Sequence, residues 1–356
     1  MKKLKVGIIG CGKMGRVYAR WFSANPHCEV VAFYNRTKQK ADALAKKISS
    51  AKVFDTWETL VEEPCIDVVG ICTPSHEHLK QIQLALKAEK HILCEKPLAN
   101  DIYECRKILK LCQTANSKVM VGFQMRFHPV VETVDRLLTK IGKIYHIDFI
   151  FGLYRTGPNW RHSITQGGGV LKELSSHLLD LMYHWAGKIS SVTGINKIIE
   201  TEREVEDYSV NLIEFKNGAT GFLFSNYLEK SSRLIKGNIM GKDGQITFQF
   251  SSYSPLDSQV FIFTDKKEDI QIKIPEEIDE IYPGHLNSFK REIDYFVDCI
   301  LNEKQPEISC EEGYRVMEVI NASYESTRRG KKIKLPLVRF SPKNLEECFK
   351  IFPLEE

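Results

Sequence analysis

The segment Gly10-Cys11-Gly12-Lys13-Met14-Gly15 constrains this chain more than any other. It follows an apolar run, Lys5 to Ile9, and leads into Met14 to Phe22, where apolar residues recur at helical spacing. A second apolar run, Val30 to Tyr34, comes next. Strand, tight turn, helix and strand make a βαβ unit. Each glycine of the G-x-G-x-x-G then has a task. Gly10 allows the turn, Gly12 lets the backbone approach a pyrophosphate, and Gly15 lets helix and strand pack closely. The N–H groups and dipole of the helix start attract the anion. The spacing predicts a dinucleotide site over residues 10–15, with Cys11, Lys13 and Met14 in its wall.

The end of the second strand selects the dinucleotide. NAD sites usually place a carboxylate there for the ribose 2′-OH. This chain has Asn35, then Arg36, Thr37 and Lys38. No carboxylate repels a 2′-phosphate, and a guanidinium can pair with one. NADP is the expected cofactor, with NAD as the alternative. Arg36 and Lys38 as ordinary solvated loop charges is the competing reading.

The alternation continues through Ile66 to Cys72, a helix over His76 to Ala88 introduced by Thr73-Pro74-Ser75, and a strand at His91 to Cys94. A helix over Asp101 to Ala115, with Asn100 as its cap, and a strand at Val119 to Phe123 complete it. This pattern predicts a doubly wound parallel sheet, an α/β Rossmann domain over residues 1–122. Beyond Lys143 the pattern changes. Tyr145 to Leu153, Tyr208 to Phe215, Ala219 to Ser225, Gln245 to Phe250 and Gln259 to Thr264 read as strands, with Asn217-Gly218 and Asp243-Gly244 as hairpin turns. The second domain, 123–337, is therefore expected to be α+β with a large, mostly antiparallel open-faced sheet. Residues 338–356 form an extension in which a helix is expected around Asn344 to Ile351.

The 356 residues include 43% hydrophobic and 27% charged ones, with a net charge of +4. The basic residues are dispersed, so no nucleic-acid partner is expected. No run of about 18 apolar residues suggests a membrane span. Ten cysteines without a Cys-x-x-Cys pair suggest no metal site, and free thiols in this number suit the cytoplasm.

Three further segments carry a family resemblance: Cys72-Thr73-Pro74-Ser75-His76-Glu77-His78, then Glu95-Lys96-Pro97, then Gly167-Gly168-Gly169 followed by Glu173 and His177. Together with the glycine turn they resemble the glucose–fructose oxidoreductase / inositol dehydrogenase (Gfo/Idh/MocA) family. The resemblance covers most of the chain except about the last twenty residues. It implies an NAD(P)-dependent dehydrogenase that transfers a hydride between the nicotinamide ring and a hydroxyl-bearing carbon of a sugar, cyclitol or nucleotide sugar. A catalytically idle regulator of the same fold and a redox-neutral glycosidase are the alternatives. Retention of both Lys96 and His177 favours the dehydrogenase.

The resemblance also implies roles. Lys96 touches the reacting oxygen, where a cation lowers the cost of alkoxide character; its bond to Pro97 is expected to be cis. His177 exchanges a proton with the substrate hydroxyl, as suits a group titrating near neutrality. Glu173, where relatives carry aspartate, shares a helical face with His177 in a helix over Val170 to Ala186 and orients either partner. Thr73, Pro74, His78 and Glu95 are expected beside the cofactor. Arg126, Trp160 and Arg161 are expected to line cofactor or substrate, with Trp160 as a packed loop residue the competing reading. Tyr282 is a substrate-side candidate and the substitute proton donor. His184 reads as structural. The exposed sheet face, and the family, imply a homodimer or homotetramer through the second domain.

Overall fold

The structure is a computed structural model. It describes residues 3–48, 51–155, 160–200, 203–230, 233–265, 267–272, 280–338 and 348–351, with backbone alone at Trp160, Lys267, Lys350 and Ile351. In chain order the elements begin β1 (Leu4–Ile9), α1 (Lys13–Ala24), β2 (Cys28–Tyr34), α2 (Lys38–Ala45), β3 (Lys52–Val53), α3 (Trp57–Glu62), β4 (Val68–Ile71), α4 (His78–Lys87), β5 (His91–Glu95), α5 (Ile102–Thr114) and β6 (Val119–Gly122). They continue with α6 (Pro129–Ile141), β7 (Ile144–Gly152), α7 (Ser176–Ala186), β8 (Ile189–Ile198), β9 (Tyr208–Phe215), β10 (Thr220–Asn226), β11 (Leu234–Gly241), β12 (Gln245–Ser251), β13 (Gln259–Phe263) and β14 (Lys267–Ile270). Then come α8 (Ser288–Leu301), α9 (Cys310–Arg329), β15 (Ile333–Lys334) and β16 (Lys350–Ile351).

Two compact units result. The first takes Met1–Gln124 and Ser288–Tyr314, the second Met125–Asn287 and Arg315–Glu356.

In the first unit six strands pair in the order β3-β2-β1-β4-β5-β6, every pairing parallel. This is the dinucleotide-fold order. A parallel sheet is covered on both faces, so its strands read as unbroken apolar runs; all four residues of β4 are buried. Helix α8 returns to this unit and packs on α1. Helix α5 is capped by Asp101, whose carboxylate accepts from the N–H groups of Tyr103 and Glu104, not by Asn100. Asp101 wins because it sits one residue before the first helical turn, where a side-chain acceptor meets those donors.

In the second unit, among the described residues, ten strands form one sheet. Its path is β14-β13-β12-β11-β7-β10-β9-β8-β15, with β16 also on β8. Pairing is antiparallel except β7 with β10 and β8 with β16. Inward residues of alternating strands, such as Ile147, Phe149, Leu223, Ile239 and Phe248, are buried, while Ile150, Ile195, Leu212 and Met240 on the other face are exposed, Leu212 at 57%. Strands β8 and β11 escape the sequence pattern, because polar and glycine residues interrupt their alternation. Lys350–Ile351 pairs as a strand with β8, which replaces the helix expected there; residues 344–347 of that helix lie outside the described residues. Among the described residues no helix is long and apolar enough to cross a membrane.

Candidate active site

The glycine turn lies where the sequence places it. Gly10 has φ +95°, and a Cβ there would sit 2.7 Å from the Cys72 carbonyl oxygen. A Cβ on Gly15 would fall 1.9 Å from the Gly10 carbonyl oxygen, so strand and helix approach closely only because both residues are glycine. At Gly12 a Cβ would meet nothing within 4 Å among the described residues. Gly12 caps α1 without a side-chain acceptor, which leaves the first-turn N–H groups of Lys13, Met14 and Gly15 for an anion. The open face at Gly12 and this uncapped helix start fit a pyrophosphate.

Asn35 braces the turn from the end of β2. Its Oδ1 accepts from the Cys11 N–H at 2.9 Å and its Nδ2 donates to the Thr37 carbonyl at 2.9 Å. Arg36 is exposed and makes no ion pair among the described residues. Lys38 is paired with Asp55 at 2.6 Å, both well exposed.

On the neighbouring strand ends, Thr73 Oγ1 donates to Gln81 at 2.7 Å. Pro74 precedes a single 3-10 turn, Ser75–Glu77. His78 is 0% exposed. Its Nε2 faces the Thr73 carbonyl at 2.9 Å and its Nδ1 the carbonyls of Pro97 and Leu98 at 3.1 and 3.3 Å. Burial lowers its pKa, with those carbonyls acting the other way. The ring spans the Thr73 turn and the Lys96-Pro97 loop, and its full burial leaves no surface to offer a ligand. The Lys96–Pro97 bond is cis, as the resemblance implies.

Glu95, at the end of β5, is buried, and burial pushes its carboxyl up to about 7, against the pull of Lys96 and the Tyr18 hydroxyl. Glu292 on α8 is 0% exposed with both oxygens unpartnered among the described residues, and is raised well above the carboxylate range by burial and by Glu95. Two buried carboxyls in electrostatic contact resist double ionisation. Glu292 was invisible in the sequence, since a glutamate on an amphipathic helix reads as solvated.

In the second unit the glycine triplet leads into a π turn, Leu171–Ser175, before α7 begins. The expected uninterrupted α-helix over Val170 to Ala186 is therefore corrected, and the i, i+4 argument for Glu173 and His177 with it, because a π turn inserts a residue into the repeat. The buried Glu206 carboxylate causes this start. It accepts from the Leu171 N–H at 3.0 Å and from the Tyr324 hydroxyl at 2.9 Å, and a Cβ on Gly169 would lie 2.5 Å from its Oε1. Burial pushes Glu206 up to about 7.

Glu173 is largely buried and receives Arg155 at 2.9 Å, Arg161 at 2.5 Å and the Tyr227 hydroxyl. Burial first, then Glu173, hold the Tyr227 phenol well above its ordinary value. Two guanidiniums and a phenol thus converge on one carboxyl, which fixes the position of Arg155 and Arg161. Arg155 and Tyr227 were missed, since nothing local marks them. His177 is 6% exposed in the first turn of α7. Tyr282 is half-buried, edge-on to His285 with ring centroids 5.4 Å apart, and acts electrostatically on Arg161. Trp160 lies in a single 3-10 turn with Arg161 and His162, and its side chain is outside the described residues. Arg126 grips Asp180 with two bonds, 2.6 and 2.8 Å, and touches His184 at 2.9 Å. His184 also meets Asp135 at 3.0 Å, as a structural histidine should.

Two family models match the chain. One, described as oxidoreductase family, NAD-binding Rossmann fold, matches residues 4–123; the other, oxidoreductase family, C-terminal alpha/beta domain, matches residues 136–335. The D-glucoside 3-dehydrogenase of Escherichia coli (strain K12) is 25% identical over 93% of this chain and 97% of its own. The scyllo-inositol 2-dehydrogenase (NAD(+)) of Bacillus subtilis (strain 168) is 25% identical over 95% of this chain and 98% of its own. A levoglucosan dehydrogenase solved in complex with NADH and levoglucosan has a TM-score of 0.86 over 94% of this chain and 100% of its own, at 22% identity, a likeness of fold. The chain belongs to the Gfo/Idh/MocA family, and it is an NAD(P)-dependent oxidoreductase.

Proposed function

We propose that this oxidoreductase acts on a hydroxyl-bearing carbon of a sugar or related polyol, with NADP preferred over NAD. The observation that carries the cofactor side is the open Gly12 face before an uncapped helix start. The substrate class rests on the relatives, which act on a glucoside and an inositol by name. A bound nicotinamide supplies or accepts the hydride. The chain's own residues handle charge and protons. Lys96 stabilises negative charge on the reacting oxygen. His177 takes the hydroxyl proton in oxidation and returns it in reduction. Glu173 sets the position of Arg155 and Arg161 beside the substrate instead of moving a proton, and Tyr282 borders the same region. Thr73 and Pro74 flank the cofactor, while His78 and Glu95 act from behind, holding the loop that carries Lys96. Arg126 and Asp180 brace α7. Arg36 favours the 2′-phosphate, and Asn35 supports it by replacing the expected acid.

The division of labour follows the chain: dinucleotide binding over 1–122, substrate binding and assembly over 123–337, and an added segment over 338–356. The protein assembles as a cytoplasmic homodimer or homotetramer through the apolar sheet face around Leu212, Ile150 and Met240, a patch of the kind that marks interfaces. Purified protein incubated with NADP or NAD and a panel of sugars, cyclitols and nucleotide sugars, read at the reduced-nicotinamide absorbance, tests the activity. Silence across the panel with both cofactors counts against the substrate class. A monomer by light scattering removes the assembly.

A further inference from the structure

We propose that Cys112 and Cys310 form a modification site, a dithiol that low-molecular-weight disulfides oxidise to an intramolecular Cys112–Cys310 disulfide. Their Sγ atoms lie 3.1 Å apart although the residues are 198 positions apart. That is about 1 Å longer than a disulfide bond. Both belong to the first unit, Cys112 in the last turn of α5 and Cys310 opening α9. A capping box holds Cys310 in place: Ser309 Oγ accepts from the Glu311 N–H at 3.1 Å, and Glu312 accepts from the Ser309 N–H at 2.9 Å.

The pair divides its roles. Cys112 is half-buried and so within reach of a small oxidant, whereas Cys310 is 2% exposed. Either sulfur can donate across the contact; with Cys310 as the donor, the Cys112 pKa is lowered and that of Cys310 raised. Burial pushes Cys11 and Cys28 up to about 12, and Cys94 and Cys105 are 0% exposed. Cys112 is the thiol of the pair that a small disulfide can reach, so its thiolate reacts first. Its sulfur attacks one sulfur of the small disulfide, whose S–S bond breaks and releases one thiol carrying a proton. Cys310 then loses its proton and attacks the Cys112 sulfur, forming the protein disulfide and releasing the second thiol. The two cysteines together lose two electrons and the small disulfide gains them.

The test uses the full chain, reduced, desalted and incubated with oxidised glutathione, then alkylated, digested and mass-mapped. The expected result is a linked peptide joining Cys112 to Cys310, reversed by dithiothreitol. In Cys310→Ser, Cys112 should retain one glutathione; in Cys112→Ser, Cys310 should remain an alkylatable thiol. If exposed Cys65 takes up glutathione while Cys112 and Cys310 both stay alkylatable in the parent protein, the proposal fails. Glutathione on Cys310 in Cys112→Ser overturns the assignment of the attacking thiol. This readout needs no substrate and no cofactor.

Discussion

The two units build their sites from different material. In the first, main chain dominates: the Gly10–Gly15 turn, the N–H groups opening α1, and carbonyls gripped by His78. In the second, side chains from distant positions converge. Glu173 gathers Arg155, Arg161 and Tyr227, which stand 18, 12 and 54 residues away. A main-chain site suits the part that NAD and NADP have in common, the pyrophosphate. A side-chain site can be rebuilt residue by residue, and the Glu173 carboxyl with its two arginines and a phenol is assembled from such separate residues.

The sharpest way to break this contrast is to remove the reacting side chains and ask whether the main-chain site notices. Lys96→Ala and His177→Ala should each lose about 10²–10⁴-fold in turnover with an active substrate. Both should bind dinucleotide as the parent does by fluorescence titration. The double variant should be little worse than the poorer single one, because groups that act as a unit are not additive. Near-normal turnover in His177→Ala would shift the proton role to Tyr282 or to Lys96 itself.

Each unit also carries one buried carboxyl pushed up to about 7, Glu95 in the first and Glu206 in the second. A raised native pKa means that the folded state keeps a proton the unfolded chain has already lost. The stabilisation is complete below about pH 4.5 and is lost as pH rises to about 7. At about 1.4 kcal/mol per pH unit, each group accounts for about 3 kcal/mol over that window. Glu206→Gln should flatten the fall in urea stability between pH 5 and 7.5, while keeping acceptors for Leu171 and Tyr324. An unchanged slope would mean that Glu206 titrates like an exposed carboxyl.

Gly12→Val probes the main-chain site itself. The side chain would meet open space, so a change of about 0.5 kcal/mol or less should move melting by no more than about 2 °C, yet dinucleotide affinity should fall at least about tenfold, or about 1.4 kcal/mol. Full affinity in a folded variant places the pyrophosphate elsewhere. The smallest effect is expected at Arg36, an exposed side chain among main-chain contacts. Arg36→Ala should reduce NADP affinity about tenfold and leave NAD affinity alone. Equal affinity for both cofactors in the parent protein removes the NADP preference.

The dinucleotide fold and its glycine turn were legible because their signals are local. Gly10, Gly12 and Gly15 stand within six residues, and a strand buried on both faces must be apolar throughout, as β4 is. Five sheet strands of the second unit were legible for the same reason, through alternation and the turns Asn217-Gly218 and Asp243-Gly244. Strands β8 and β11 were not, because Asn196 and Gly194 in β8 answer to Ser323 and Thr327 on α9 rather than to an alternating face.

Sequence by itself determined the parallel sheet and the glycine turn that opens α1. Each follows from short-range geometry, strand burial in the first case and chain reversal in the second. Only the tertiary structure decided the rest. It gathered two arginines and a tyrosine on Glu173 and made His78 a bridge between two loops. It gave Glu206 the start of the π turn before α7, placed Glu292 beside Glu95, and brought Cys112 to Cys310. These outcomes depend on which strands and helices become neighbours. A carboxyl or thiol changes its chemistry according to burial and partners, and neither is written in the residues beside it.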